Sequence, residues 1–207
     1  MGWFGEEEDA GFPGKFDTSL SDYRFAIENL RENGIDILGT KSATENDLKQ
    51  IETRLGVTLP VSYKKMLSEY GALEFDTIEI YGWLSQGIDA KFITNVVHAT
   101  ERERADGRIS DTMIPFLTAG YGPFYVMDCA EMNVDGEAPV YEVSAGGYRN
   151  GKDKLADSFG EFLRNEVRRT LEARAQGGSE FDDDDEDSPP SREFISEYWK
   201  DRARDFE

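Results

Sequence analysis

Residues 44–71, TENDLKQIETRLGVTLPVSYKKMLSEYG, predict two short helices joined by a tight turn. Thr44 can cap the first helix, and Asp47, three residues later, occupies the capping-box position. Gly56 can take the left-handed conformation that ends a helix, and Pro60 suits the first turn of the next. Apolar residues at helical spacing indicate the two buried faces: Leu48, Ile51 and Leu55, then Tyr63, Met66, Leu67 and Tyr70.

The sequence on either side of this pair predicts further helices. One is expected from about Ser21 to Asn33, with Gly34 as its stop, and a modest one from Phe92 to Arg104, capped by Thr94. Ser158 and Glu161 have the spacing of a full capping box, which opens a long closing helix. Its inward residues are predicted to be Phe159, Phe162, Leu163, Val167 and Leu171.

Strand signals lie between these helices. A turn or bulge near Asp76 and Thr77 leads into a strand from about Thr77 to Tyr81. Three more strands are expected at Met113–Thr118, Phe124–Cys129 and Pro139–Val143. Pro115 favours an edge or a strand start for the first of the three. Apolar residues at both parities indicate that the second is central and covered on both sides.

The motifs in this order resemble those of the SUKH superfamily, which contains bacterial immunity proteins and fungal cell-wall synthesis regulators. In the helix pair the matching residues are Ile51, Glu52, Leu55, Gly56, Leu59, Pro60, Tyr63, Lys64 and Leu67, followed by Tyr70 and Gly71. In the second half of the chain, the matching segments are residues 114–116, Gly122, residues 125–128, residues 139–141 and residues 157–163. These segments include Asp128, Ser158 and Phe159. The resemblance covers about Ala43 to Val167. It implies an α+β fold with a mainly antiparallel sheet flanked by helices.

Length and composition bound the class of protein. At 207 residues with 38% hydrophobic residues, the chain can form one packed core with appendages. We expect a poorly ordered segment at 1–17, the α+β domain at 18–175, an acidic flexible linker at 176–190 and an amphipathic C-terminal helix at 191–207. Neither a secretory signal nor an apolar run of membrane-spanning length is evident. We therefore expect a soluble cytoplasmic protein.

The formal charge of −20 indicates which partners are excluded. Such a surface repels nucleic acid and anionic membranes and favours basic protein partners. Seven of the negative charges lie between Glu180 and Asp187, a run that lacks the alternating ligands and central glycine of a calcium loop. The alternative interpretation is that the acidity only keeps the protein soluble.

Candidate catalytic residues are few. His98 is the only histidine and Cys129 the only cysteine, so neither a usual zinc site nor an internal disulfide is expected. We predict a structural or surface role for His98 and a small buried side chain for Cys129. Asp128 resembles an aspartate at the end of the family's central strand, where its carboxylate can accept backbone N–H bonds from the following loop. We predict no catalysis, no cofactor and no metal.

The candidate partner-binding residues are aromatic and acidic side chains in predicted loops: Asp76, Glu79, Trp83, Asp89 and Tyr121. Exposed aromatics would supply affinity and carboxylates would supply steering. The alternative is that Trp83 and Tyr121 simply belong to the core.

The resemblance implies an immunity protein that occludes the active site of a cognate toxin, possibly a basic nuclease. The second hypothesis is an intracellular regulatory scaffold whose C-terminal arm docks a partner, and the third is an enzyme that uses clustered carboxylates and a metal.

Overall fold

The computed structural model of the protein describes residues 18–118 and 122–177. The helices in these ranges are α1 (Thr18–Glu32), α2 (Glu45–Leu55), α3 (Val61–Tyr70), α4 (Val96–Ala105) and α5 (Phe159–Gly177). The strands are β1 (Leu38–Gly39), β2 (Leu73–Phe75), β3 (Ile78–Ile80), β4 (Met113–Thr118), β5 (Phe124–Asp128), β6 (Val140–Val143) and β7 (Lys152–Ala156). Every ladder between these strands is antiparallel, which confirms the expected α+β class.

The chain divides into a compact unit that ends at Glu172 and a second unit that begins at Ala173. Of the second unit, the structure describes only 173–177, the end of α5. The helix therefore continues two residues past the predicted domain end at 175. The predicted N-terminal segment at 1–17 and the C-terminal helix at 191–207 lie outside the described residues, as does all but the start of the predicted linker.

Local capping signals set the bounds of the helix pair. The Thr44 hydroxyl accepts the N–H of Asp47 at 3.2 Å, and the Asp47 carboxylate accepts the N–H of Thr44 at 2.8 Å. This reciprocal pair is the predicted capping box. Gly56 ends α2 with φ 68°, in the left-handed region that glycine adopts without steric cost. The first half of the motif therefore folds as its sequence predicts.

Glu52 joins the two helices of the pair. Its Oε1 accepts the N–H of Leu59 at 2.9 Å and lies 3.3 Å from Nζ of Lys64. Glu52, itself a residue of the motif, therefore holds the turn between α2 and α3 in place. The apolar residues of the motif are buried beneath it: Ile51, Leu55, Leu59, Tyr63 and Leu67.

The first sheet has the strand order β1-β2-β3. A two-residue turn at Asp76 and Thr77 joins β2 to β3, and Asp76 has φ 51°. The sequence predicts a turn or bulge here, and the structure shows a tight hairpin. It also shows two short strands that the sequence analysis did not predict, β1 and β2. Both are too short to show an alternating pattern of their own.

The backbone at the end of α3 packs closely against the segment that follows β3. Gly71 has φ 76°, and its carbonyl accepts the N–H of Trp83 at 3.2 Å. A Cβ on Gly82 would lie 2.0 Å from that same Gly71 oxygen. The Thr40 hydroxyl bridges the two segments, donating to the Trp83 carbonyl at 2.6 Å and accepting the N–H of Ala72 at 2.8 Å. The two glycines thus allow an approach that side chains would block.

The second sheet has the order β4-β5-β6-β7. Its first strand, β4, lies at one end of the order, in agreement with the edge position that Pro115 predicts. Tyr125 and Met127 of β5 pack into the main core, whereas Phe124 and Val126 belong to a smaller cluster on the opposite face. This confirms the prediction that β5 is covered on both sides. The sequence analysis missed β7, whose charged KDK start lacks the apolar alternation of a strand.

Two predicted helix starts need correction. Helix α4 begins at Val96 and its cap is Asn95, whose Oδ1 accepts the N–H groups of Val97 and His98, so the prediction of Thr94 as the cap is wrong. The Ser158 hydroxyl accepts the N–H of Glu161 at 3.1 Å. However, the Glu161 carboxylate accepts the N–H of Asp157 instead of that of Ser158, so the predicted full box at Ser158 is only half formed.

An aromatic cluster forms the centre of the core. The Phe116 ring contacts those of Phe159 and Phe162 edge-on, with centroids 5.5 and 5.1 Å apart, and Tyr63 packs on Phe159 at 5.2 Å. The Tyr63 hydroxyl reaches the carbonyl of Tyr81 at 2.7 Å. The helix pair, the second sheet and the closing helix therefore meet at one point.

The first turns of three helices meet at the buried carboxylate of Glu137, which is 1% exposed. It accepts the N–H of Ser62 in α3 at 2.6 Å, the Ser62 hydroxyl at 2.7 Å and the Ser19 hydroxyl of α1 at 2.9 Å. The Ser62 hydroxyl in turn accepts the N–H of Gly160 in α5 at 3.1 Å. Helix α3 begins at Pro60 without a side-chain cap of its own, so Glu137 supplies that cap from a distant loop.

Candidate functional site

The predicted acidic binding residues lie on different elements. Asp76 is exposed at the tip of the β2–β3 hairpin, and Glu79 is exposed on β3. The Asp89 side chain is 81% exposed and forms an ion pair with Arg54 of α2 at 3.7 Å. Arg54 also pairs with Glu101 of α4 at 2.5 Å. The structure thus brings Asp76 and Glu79 together on one hairpin and links Asp89 to α2.

Trp83 is not the exposed aromatic that the sequence analysis expects. It is 5% exposed and belongs to the main core. Its Nε1 has no hydrogen-bond partner among the described residues. The backbone contact between Gly71 and Gly82 draws this segment inward, so Trp83 cannot act as a surface anchor. Tyr121, the other predicted aromatic anchor, lies outside the described residues.

A different set of residues forms an exposed face around Glu79. In the register of the first sheet, Leu38 of β1 lies opposite Glu74 of β2, and Glu74 lies opposite Glu79 of β3. Leu38 is 50% exposed. These three residues and Thr94 line a shallow groove of about 80 Å³. We call Leu38, Glu74, Glu79 and Thr94 the Leu38 face. Ile93, next to Thr94 in the chain, is 46% exposed and lines a separate cavity instead.

The Leu38 face could be found only in part from the sequence. Glu79 is among the predicted binding residues, but Leu38, Glu74 and Thr94 are not. Thr94 falls in the segment that the sequence analysis assigned to a modest helix from Phe92 to Arg104. The position of Glu74 opposite Glu79 depends on the two-residue hairpin register, and a bulge at the same place would have separated them.

The Leu38 face carries two neighbouring negative charges, those of Glu74 and Glu79. Burial raises the pKa of the Glu79 carboxyl above its ordinary value of 4.5, and the neighbouring charge of Glu74 raises it further. Across the part of the chain that the structure describes, neither carboxylate forms an ion pair. Like charges directly opposite in a sheet are destabilising. The folded protein therefore keeps two repelling charges side by side on its surface.

We expect Glu79→Gln to increase the free energy of unfolding by about 0.5 kcal/mol near pH 7. The raised pKa means that the folded state disfavours the charged form of Glu79, so the charge is a cost above the folded pKa. As the pH falls through that pKa toward 4.5, Glu79 becomes protonated, the cost disappears and the gain of the variant should vanish.

Urea unfolding at about pH 7, 5.5 and 4 measures this difference directly. The control is Glu28→Gln, which removes an exposed charge from α1 and should change stability by less than about 0.5 kcal/mol. A Glu79→Gln variant that is less stable than wild type at neutral pH would contradict the prediction.

The single cysteine and the single histidine lie on different elements. Burial raises the pKa of the Cys129 thiol to about 12, and the Asp128 charge adds to this, so the reactive thiolate is disfavoured at neutral pH. His98 is half-buried on α4. Within residues 18–118 and 122–177, no group of three histidine, cysteine, aspartate or glutamate side chains could hold a metal ion.

Asp128 lies at the end of β5, where the resemblance places an aspartate. It accepts the N–H of Ala130 at 3.2 Å and the Thr112 hydroxyl at 3.1 Å. Its other oxygen lies 2.9 Å from Nζ of Lys152 in β7. Lys152 also pairs with Glu131 at 2.7 Å. The carboxylate therefore holds the loop after β5 and the last strand together.

A cavity of about 340 Å³ lies beside α4 and β4. Glu103 is 7% exposed there and pairs with Arg102 at 2.8 Å and Arg108 at 2.7 Å. Tyr81 and Phe124 supply apolar walls. One carboxylate thus faces two guanidinium groups, and the described lining residues include no nucleophile with an adjacent base.

These observations define an α+β protein with exposed apolar and acidic side chains on the outer face of its first sheet. Residues 45–163, more than half of the chain, match the model of the SUKH family described as SMI1-KNR4 cell-wall. The chain therefore belongs to the SUKH superfamily. This superfamily includes immunity proteins, and its domains are generally binding modules without enzymatic activity. Among the described helices, none has the length and apolar character needed to cross a membrane.

Proposed function

We propose that this protein is a non-catalytic immunity protein that neutralises a cognate toxin by covering its active site or substrate path. The observation that carries this proposal is the Leu38 face, where half-exposed Leu38 lies beside two carboxylates that form no ion pair with any described residue. Apolar side chains at the centre of a contact supply affinity, and surrounding charges supply specificity and speed of association.

The net charge of −20 supports a basic partner. A nuclease presents a positively charged groove to phosphate, so an acidic inhibitor is attracted to the surface it must cover. Electrostatic steering of this kind can raise association rates to about 10⁸–10⁹ M⁻¹s⁻¹ at low salt. Fast association suits a protein that must reach its toxin before the toxin reaches its substrate.

Co-expression with candidate toxins from the neighbouring gene tests the proposal. Cells that express the toxin domain should survive only when this protein is present, and survival counts measure the difference. Equal killing with and without this protein would overturn the proposed function. The purified pair should also form a complex whose affinity falls as salt is raised.

The alternative is a regulatory scaffold, and the cell-wall description of the matching family favours it. In that case the acidic segment and C-terminal residues would recruit a partner. A pull-down with residues 178–207 deleted distinguishes the two functions. Loss of a housekeeping partner upon deletion, with no toxin recovered by the full chain, would support the scaffold.

A further inference from the structure

The outward row of the first sheet combines one apolar and two acidic side chains. Leu38, Glu74 and Glu79 occupy successive strands at the same level of the sheet. The residues beside them in β2 and β3, Leu73, Phe75 and Ile80, point into the core. Directly opposed side chains in an antiparallel pair have Cβ atoms about 4.5–5.5 Å apart, so the two carboxylates lie close enough to share one cation.

Neither charge is balanced within the described ranges of the protein. The ion pairs of those ranges involve other carboxylates, and none involves Glu74 or Glu79. Burial and mutual repulsion already disfavour the charge on Glu79. A cation bound between the two carboxylates would remove the repulsion, so the face is electrostatically complementary to a positive group.

The shape of the face selects the kind of cation. The groove of about 80 Å³ has room for a group the size of about two or three water molecules. Its floor includes Leu73 and Ala72, and half-exposed Leu38 forms its rim. A cation with an aliphatic stem could therefore lay the stem on Leu38 while its charged end reaches the carboxylates.

We propose that the Leu38 face binds an arginine side chain from an exposed loop of a basic protein partner, with its guanidinium between Glu74 and Glu79 and its stem on Leu38. Arginine fits better than lysine because its planar, forked donors can bond two acceptors at once. This assignment rests on the proposed function, since it names the chemistry that this face recognises in the toxin.

An NMR titration of the full chain with N-acetyl-L-arginine amide tests the proposal without the toxin. Saturable shifts are expected at the Leu38 methyl groups and at the amides of Glu74 and Glu79, with an apparent Kd of roughly 1–10 mM. The neutral isostere N-acetyl-L-citrulline amide should bind at least about tenfold more weakly. The Glu74→Gln/Glu79→Gln variant should lose the preference for arginine over citrulline.

Equal responses to the arginine and citrulline probes would overturn the proposal. So would a response to Mg²⁺ at the same amides with none to arginine, because the site would then take a metal ion. The double variant is expected to fold, since it removes a repulsion, and its dispersed amide spectrum verifies this. The single variant Glu79→Gln gives an independent test, because its preference for the arginine probe over the citrulline probe is expected to be intermediate.

Charge reversal in the co-expression assay separates this proposal from the proposed function. Glu74→Lys/Glu79→Lys should abolish protection. Glu28→Lys/Glu32→Lys makes the same change in net charge on the exposed side of α1 and should preserve it. If wild type protects and the sheet variant protects equally well, the arginine site is wrong and the immunity function stands. If wild type itself fails to protect, the immunity function is wrong, whatever the titration shows.

Discussion

Glu137→Ala is expected to lower the free energy of unfolding by about 3–5 kcal/mol. The carboxylate is 1% exposed and accepts hydrogen bonds from the Ser62 N–H and from the hydroxyls of Ser19 and Ser62. Alanine would leave these buried donors without their acceptor, and each such orphaned group costs about 1–3 kcal/mol. The Ser62 N–H has no alternative, because it lies in the first turn of α3, where backbone donors lack helical acceptors.

Thermal and urea unfolding measure this loss. For a domain of this size, each kcal/mol shifts Tm by about 2–4 °C, so a decrease of about 6–20 °C is expected. Asp135→Ala is the matched control, because Asp135 is an exposed carboxylate on the same loop. It should change stability by less than about 0.5 kcal/mol. A Glu137→Ala protein within about 1 kcal/mol of wild type would show that the starts of α1 and α3 hold without their shared acceptor.

Gly82→Ala is expected to lower the free energy of unfolding by about 3 kcal/mol, the upper end of the range for overpacking. The added Cβ would lie 2.0 Å from the carbonyl oxygen of Gly71. That oxygen belongs to backbone and accepts the N–H of Trp83, so it cannot move aside as a flexible side chain would. Relief would require separating the end of α3 from the segment after β3, which exposes Trp83.

Trp83 provides the readout for this variant. Intrinsic fluorescence should shift to longer wavelength as its indole gains contact with water, alongside the decrease in Tm. Gly122→Ala is the control, because a Cβ at Gly122 would meet no atom within 4 Å and its φ lies outside the left-handed range. If Gly82→Ala retains wild-type stability, the close contact between Gly71 and Gly82 is looser than the structure shows.

The parts of the fold that the sequence predicts well are those fixed by local signals. The capping box at Thr44, the left-handed Gly56 and the apolar stripes define α2 and α3 within one residue of the prediction. Strands β4, β5 and β6 were also placed within one residue, because each is bounded by turn residues and carries a dense apolar run. Within these elements, the preference of the segment and its tertiary environment agree.

The parts that the sequence analysis missed depend on distant contacts. Glu137 follows a Gly-containing loop like many surface glutamates, and its burial results from helix starts that are 75 and 118 residues away in the chain. The sequence analysis expects Trp83 at the surface because it lies beside a glycine in a predicted loop, but Gly82 is what allows its segment to pack inward. The Leu38 face joins three strands and a loop, so no single stretch of sequence displays it.

The junction at Glu137 also has a consequence for biosynthesis. It unites Ser19, Ser62 and Gly160, so it cannot close until the ribosome has released nearly the whole domain. Helix α3 lacks the acceptor for its first turn until Glu137 has emerged, and the bond from Gly160 forms later still. Chains terminated before residue 160 would therefore lack the junction that joins the three helix starts.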